Sequence, residues 1–482
     1  MDLSPTDPGR GTTRLDRLCR RFIPQDGGRS GFTLIATGAE AFLTLNGLAT
    51  AAQRSLDVQY YLWEEDGSGR RLLSALLDAA DRGVRVRLLL DDIGAPLSDP
   101  GLARLDAYPN VSIRLYNPFP RRFGLVFGLL FQARRVSRRM HNKAFIADRV
   151  AAVVGGRNVG DRYFEYDDRA NFRDLDLFAA GPIVDRVAQT FDAFWDSRWS
   201  RSIRAIDRGR WRIADVRATV RRGLRRRIRQ EAGGRHPPTQ GLDALAFREL
   251  LRHRFARLIV AEEATVVVDA PDKVETGEPM LLEQLLAAIE GPPKRELLLE
   301  SAYFVPARYG TDLLSRLARS GVSVRVLTNS AASGEVAIAH AAYRKYRRPL
   351  LRAGVELYEL RSRPAEGDDG RDVNLHTKAA VIDRRDVFVG SLNIDPRSAR
   401  LNTEIGLLIR SPGLAAEVAA FITDGMRPAR AYQAVLDGGG LDGGGLAWRV
   451  DGGAPQRREP GVSVWRLLVR RLLALLPIEG QV

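Results

Sequence analysis

The sequence predicts an α/β protein of two similar domains. Each is expected to hold a central mixed, largely parallel sheet flanked by helices, and the two are expected to pack face to face as a pseudo-dimer. Three observations predict this. At 482 residues the chain is too long for one ordinary core, so two domains of about 200 residues are the prior. A strand–loop–helix–strand pattern occurs twice. A short His/Lys/Asp frame also occurs twice, about 235 residues apart.

The first unit is "LDVQYYLWEEDGSGRRLLSALLDAADRGVRVRLLLDD", residues 56 to 92. Apolar spacing from Leu72 to Ala80 reads as a helix that Gly83 stops, and "VRVRLLLDD" follows as a strand. "LLLESAYFVPARYGTDLLSRLARSGVSVRVLTNS", residues 297 to 330, has the same layout with Gly321 as the stop. Each half adds one more strand, "VSIRLYNPF" and "AGVELYEL", before its His motif. Strands alternating with helices favour parallel pairing. The predicted divisions are a leader over 1–40, a first domain over 41–200, a basic connector over 201–270 and a second domain over 271–435. A Gly-rich linker with an amphipathic C-terminal helix takes 436–482.

Composition narrows the function. Hydrophobic content of 45% and charged content of 28% are ordinary globular values, but the net charge is +15. Such a surface prefers anionic partners, either nucleic acid or an anionic membrane. The single cysteine, Cys19, excludes an internal disulfide framework and a Cys-based metal site. The N-terminus shows no apolar signal core. No stretch reaches the roughly 18 apolar residues a membrane span needs. A soluble or peripheral protein on the cytoplasmic side is expected.

"RMHNKAFIADRVAAVVGGRNVGDRY" and "NLHTKAAVIDRRDVFVGSLNIDPRS" align as H-x-K-x-x-x-x-D, followed by a small pair and Asn. Residues i and i+2 of a strand face one side, so His141 projects with Lys143 and His376 with Lys378. The candidate catalytic set is His141, Lys143, Asp148, His376, Lys378 and Asp383. The two aspartates fall near the turn, as supports rather than reacting groups. Gly155-Gly156 and Gly390-Ser391 allow close backbone approach, which brings Asn158 and Asn393 beside the His/Lys face. Asp174 of "NFRDLDL" and Glu404 of "LNTEIGL" align and are the candidate carboxylates that orient the imidazoles. Asp176 is the weaker alternative.

If the halves face each other, the set suits a phosphodiester. Lysines neutralise the non-bridging oxygens and Asn amides donate to them. One imidazole attacks phosphorus and the other handles the leaving and incoming alcohols. No metal or cofactor is required, because the lysines supply the positive charge. A lone H-x-K is noise; two copies inside a duplicated unit are not. His236, His253 and His340 are read as structural or surface residues, with His340 the best of them for a secondary contact.

This doubled frame resembles the hallmark of the phospholipase D superfamily. The stretches quoted above, with "YFVPARYG" and "VLTNSAASGEVAIAHAAYRKYRRPLL", look like the bacterial cardiolipin synthases of the C type, from about residue 35 to the end. The resemblance implies a two-step phosphatidyl transfer through a phosphohistidine, with phosphatidylethanolamine as donor and phosphatidylglycerol as acceptor. It implies His141 as nucleophile and His376 as general acid/base. One departure is G-G-R-N where G-S-x-N is usual, which removes a hydroxyl at Gly156. The connector, arginine-rich over 201–230, is outside the resemblance.

Hydrolysis of phospholipids is the alternative activity, and a nuclease of the same superfamily is a weaker one. Two basic-apolar segments favour lipid over nucleic acid. One is the run Phe123 to Phe131, including Leu125 and Phe127, between arginine pairs. The other is the C-terminal pattern with Trp465 on its apolar side. Anionic phospholipids and a membrane surface are therefore the expected partners.

Overall fold

The protein is described from a computed structural model. It covers residues 12–24, 28–95, 99–119, 137–206, 213–230, 244–333, 337–365, 370–438, 445–450 and 453–461. The expected interface residues Phe123, Leu125, Phe127, Phe131 and Trp465 lie outside the described residues, as does His236.

The first half supplies strands β1 (Gly31–Ile35), β2 (Ser55–Tyr60), β3 (Arg85–Asp91), β4 (Val111–Tyr116), β5 (Ala144–Ala147), β6 (Ala151–Gly155), β7 (Ala170–Arg173), β8 (Asp176–Ala180), β9 (Ser200–Ser202) and β10 (Ile259–Val260). The second supplies β11 (Glu263–Val268), β12 (Glu296–Ser301), β13 (Ser323–Asn329), β14 (Glu356–Leu360), β15 (Asp372–Leu375), β16 (Lys378–Ile382), β17 (Asp386–Gly390), β18 (Ile405–Arg410), β19 (Ala431–Asp437) and β20 (Gly445–Arg449). Two nine-stranded sheets result. Their orders are β10-β1-β8-β6-β5-β2-β3-β4-β9 and β11-β18-β17-β16-β12-β13-β14-β19-β20. The duplication read from the sequence is thus a duplication of sheet topology.

The mixed character is as expected, but the parallel share is smaller. Within the two nine-stranded sheets, only β2–β3–β4 and β12–β13–β14 pair in parallel. The other six pairings of each sheet are antiparallel. The reason is local. Strands joined through a helix return in parallel, whereas the motif strands β5–β6 and β16–β17 are joined by tight turns and must run antiparallel. The helix Gly67–Asp81 is capped by Asp66, whose carboxylate accepts from the Gly69 amide at 2.9 Å. Gly83 and Gly321 end this helix and its counterpart Ala307–Arg319 at φ +92° and +93°, which only glycine adopts freely.

The segment 201–270 is more than a connector. It contributes the helix Ile213–Gln230 and, after it, β10 to the first sheet and β11 to the second. The Gly-rich stretch likewise holds β20, an edge strand paired with β19. The glycines lead into β20 in the sequence, while the short run that follows them buries Ala447 and Trp448.

The halves share one core. Ile146, Val154 and Leu177 of the first sheet pack with Val381, Val389 and Leu407 of the second, all 0% exposed. Burial of this kind contributes roughly 1.5–3 kcal/mol per large side chain. The helices Ile183–Asp196 and Pro412–Gly425 join the same cluster. A second seam is made by backbone. β7 pairs in parallel with β15, and Met140 bridges Thr403. Each contact joins one half to the other just before a site residue. No helix of the described residues is long and apolar enough to cross a membrane.

Candidate active site

The inter-half seam decides the site. The His141 amide donates to the Thr403 carbonyl at 2.9 Å, and the His376 amide donates to the Arg173 carbonyl at 2.8 Å. Those registers deliver each imidazole to the carboxylate of the opposite half. His141 Nδ1 lies 2.8 Å from Glu404 Oε2, and His376 Nδ1 lies 2.6 Å from Asp174 Oδ2. Neither pair can form within one half, so an intact site needs both halves of the duplication.

Lys143 and Lys378 project on the same faces as their histidines, as the two-residue spacing requires. Each ammonium donates to the carbonyl of its own histidine. Lys378 Nζ also lies 3.1 Å from His376 Nδ1. Both lysines are almost wholly buried, as are Asp174 and Glu404, while each imidazole keeps a small accessible edge. Rings frame the imidazoles. Tyr61 meets His141 edge-on at 5.1 Å; Tyr163 and Phe172 each lie 5.2 Å from His376.

Burial dominates the protonation states. It lowers His141 to about 4 against the opposing pull of Glu404, with Lys143 lowering it further. Burial and then Lys378 lower His376 to about 3, although Asp174 pulls the other way. Burial pushes the Asp174 carboxyl up, but His376, Lys378 and Arg157 outweigh it and hold it at about 2. Glu404 is likewise held down by His141 and Lys143 against the upward push of burial. Burial brings Lys378 down to about 8 and Lys143 well below its usual value. Near neutral pH both imidazoles are therefore uncharged and both carboxylates ionised. An uncharged ring beside a carboxylate places its proton on Nδ1, which leaves the Nε2 lone pair for chemistry.

The two motif aspartates stand elsewhere. Asp148 and Asp383 sit in the turns at the far ends of β5 and β16, at φ +52° and +51°. Asp148 collects the amides of Gln53, Arg54 and Ser55 at 3.0, 2.7 and 3.1 Å. Asp383 collects those of Lys294, Arg295 and Glu296 at 2.9, 2.7 and 2.9 Å. Asp tolerates the left-handed turn while its carboxylate ties the hairpin to the neighbouring strand.

The asparagines differ from each other. Asn158 is committed on both sides, donating to the Tyr163 hydroxyl at 3.0 Å and accepting from the Leu62 amide at 3.2 Å. Asn393 is buried with its Oδ1 unpaired. Gly156 and Ser391 serve the carboxylates. A Cβ on Gly156 would lie 2.3 Å from Asp174 Oδ1. Ser391 instead donates its hydroxyl to Glu404 at 2.5 Å. The shorter carboxylate faces the bare glycine, and the longer one faces the serine.

Asp176 does not orient a histidine; it pairs with buried Arg157 at 2.8 Å. His340 sits in a buried ionic cluster with Arg347, at 2.8 Å, and Glu459, at 3.2 Å. His253 is exposed. Sequence reasoning missed Tyr61, Tyr163 and Phe172. It also missed Asp269, whose carboxylate accepts from Lys273 at 2.8 Å and from the Glu404 amide at 3.0 Å. The only signal for Tyr163 and Phe172 was their nearness to Asn158 and Asp174, and Tyr61 had none, standing in the β2 unit far from either motif.

Two α/β halves that exchange carboxylates around a doubled His/Lys pair define a phospholipase D-like protein. The chain belongs to the family described as cardiolipin synthase, PLD-like domain, whose profile matches residues 46–195 and 286–424. It is similar to cardiolipin synthase C of Escherichia coli strain K12, with 37% identity over 96% of this chain and 99% of that protein. Cardiolipin synthase B of the same strain is 28% identical over 74% of this chain and 71% of that one. The crystal structure of phosphatidylserine synthase from Haemophilus influenzae Rd KW20 shares the fold. Its TM-score is 0.59, covering 95% of this chain and 96% of that one at 14% identity.

Proposed function

We propose that the protein is a phosphatidyltransferase making cardiolipin. Phosphatidylglycerol would be the acceptor and a second phospholipid, phosphatidylethanolamine, the donor. The observation that carries this is the crossed pair of dyads, His141–Glu404 and His376–Asp174, beside two buried lysines. It is supported by the likeness to cardiolipin synthase C over nearly the whole of both chains.

In the first step the Nε2 lone pair of His141 attacks the donor phosphorus. His376 protonates the departing head-group oxygen as the P–O bond breaks. The negative charge of the bound phosphodiester raises the basicity of His376, which takes a proton from solvent before the step, and it also holds Lys143 and Lys378 protonated. Glu404 offsets the positive charge that the His141 ring acquires on becoming phosphorylated. In the second step the now neutral His376 removes a proton from a hydroxyl of phosphatidylglycerol. The resulting oxygen attacks phosphorus, His141 leaves, and cardiolipin forms. Two successive displacements conserve the phosphodiester energy, so no other energy source is needed. The site works at the surface of the inner membrane, on its cytoplasmic side.

The test is a product assay. The purified protein and a His141→Ala variant are incubated with phosphatidylglycerol vesicles, with and without phosphatidylethanolamine, and products are read by mass spectrometry. Cardiolipin that needs phosphatidylethanolamine and vanishes in the variant is the expected result. Phosphatidic acid alone would make the protein a hydrolase, and turnover of DNA in place of lipid would make it a nuclease.

A further inference from the structure

The arginine-rich helix Ile213–Gln230 has two faces with different tasks. Val216 and Leu224 are buried, and Val220 and Ile228 pack against the core of the first half. Arg221 reaches Asp78 at 2.8 Å and Asp81 at 2.6 Å, and Arg217 reaches Asp81 at 2.8 Å. This seats the helix on Gly67–Asp81 and fixes its rotation. Arg222, Arg225, Arg226 and Arg229 then fall at i, i+3, i+4 and i+7, on one face, and all four are exposed. Among the described residues no carboxylate pairs with any of them.

Such a row opposes helix formation. Arg222–Arg226 and Arg225–Arg229 are like-charge i,i+4 neighbours, and Arg222–Arg225 and Arg226–Arg229 are i,i+3 neighbours. Each is repulsive unless an anion lies alongside. A flat, seated row of four guanidinium groups matches an extended anionic surface better than a point ligand. The C-terminal end of the helix, which carries the row, also reaches the pocket end of the first half. Arg227, which points off the row toward the protein body, pairs there with Glu65. Glu65 stands three residues beyond Leu62, whose amide braces Asn158. Tyr61 next to it packs on His141.

We infer that the exposed arginine row of this helix is the surface by which the protein docks on an anionic lipid bilayer, bringing the pocket to its substrates. The inference rests on the transferase reading for its purpose, but not for its test. Four basic side chains near an anionic membrane surface give roughly a hundredfold or greater gain in partitioning, lost with salt.

The experiment is vesicle co-sedimentation of the full chain. It compares phosphatidylcholine vesicles with vesicles containing phosphatidylglycerol at about three lipids in ten, the usual range for a strongly anionic bilayer. Two variants of equal net charge are compared: R222E/R225E/R226E/R229E, and R201E/R316E/R319E/R348E at exposed sites elsewhere. The row variant is expected to lose at least a hundredfold in binding to the anionic vesicles, while the scattered variant keeps most of it. Equal losses in both would overturn the inference, since net charge alone would then be responsible. Tighter binding to duplex DNA than to anionic vesicles would overturn it too. Turnover of soluble short-chain phosphatidylethanolamine together with short-chain phosphatidylglycerol gives the independent check on folding: the row variant is expected to match wild type. Binding without any lipid turnover would sink the transferase reading and leave the docking surface standing.

Discussion

Glu404→Gln is the sharpest perturbation of the site. The substitution keeps the volume and one acceptor for His141 Nδ1, now 2.8 Å from the carboxylate, but removes the charge. During transfer the His141 ring becomes cationic. With charge centres about 4 Å apart and an effective dielectric near 20, the lost attraction is about 4 kcal/mol. That corresponds to about a thousandfold in rate. The assay is single-turnover release of the head-group alcohol, with circular dichroism melts to confirm folding. Glu404→Asp should fall nearly as far, because it withdraws the oxygen by one methylene. A rate within threefold of wild type for E404Q would refute the claim that a carboxylate borrowed from the other half supports His141.

Further expectations concern neighbouring groups. Gly156→Ser should cost at least about a hundredfold in kcat, because its Cβ would meet Asp174 at 2.3 Å and push that carboxylate off His376; a variant with wild-type kcat would show that Asp174 need not hold its place. Asp148→Ala should lower stability by about 2–4 kcal/mol through its lost amide bonds, read by urea unfolding, with kcat changed less than threefold. In the free enzyme Lys378 loses its proton near pH 8. kcat/KM should therefore fall as pH rises through about 8, while kcat holds to higher pH because bound phosphate raises the lysine. His141 and His376 titrate near 6.5 when unfolded but near 4 and 3 when folded. The unfolded chain binds more protons in that window, so stability should drop as pH falls from 6.5 toward 4, which thermal melts in that range would record.

The histidines, lysines and orienting carboxylates were legible because duplication aligned them against each other. Their pairing was not. Which carboxylate serves which imidazole depends on β7 meeting β15 and Met140 meeting Thr403, contacts between distant segments that local pattern does not encode. The sheet was read as largely parallel because βαβ units announce themselves by helix spacing, whereas β5–β6 and β16–β17 are short strands with weak alternation. Asn158 was expected to face phosphate. Its engagement with Tyr163 and Leu62 could not be seen without the loop that brings them together. The connector's arginines were visible, but only the seated helix shows which ones pair with Asp78 and Asp81 and which face outward.

The central claim is a double displacement through a phosphorylated histidine, and a pulse–chase tests it most directly. Protein is mixed briefly with phosphatidylethanolamine labelled in the phosphate, freed of lipid, and chased with unlabelled phosphatidylglycerol. The account predicts label held on a histidine, absent from His141→Ala, that moves into cardiolipin during the chase. Cardiolipin formed with no labelled protein at any time, or label that the chase cannot discharge into cardiolipin, would contradict it.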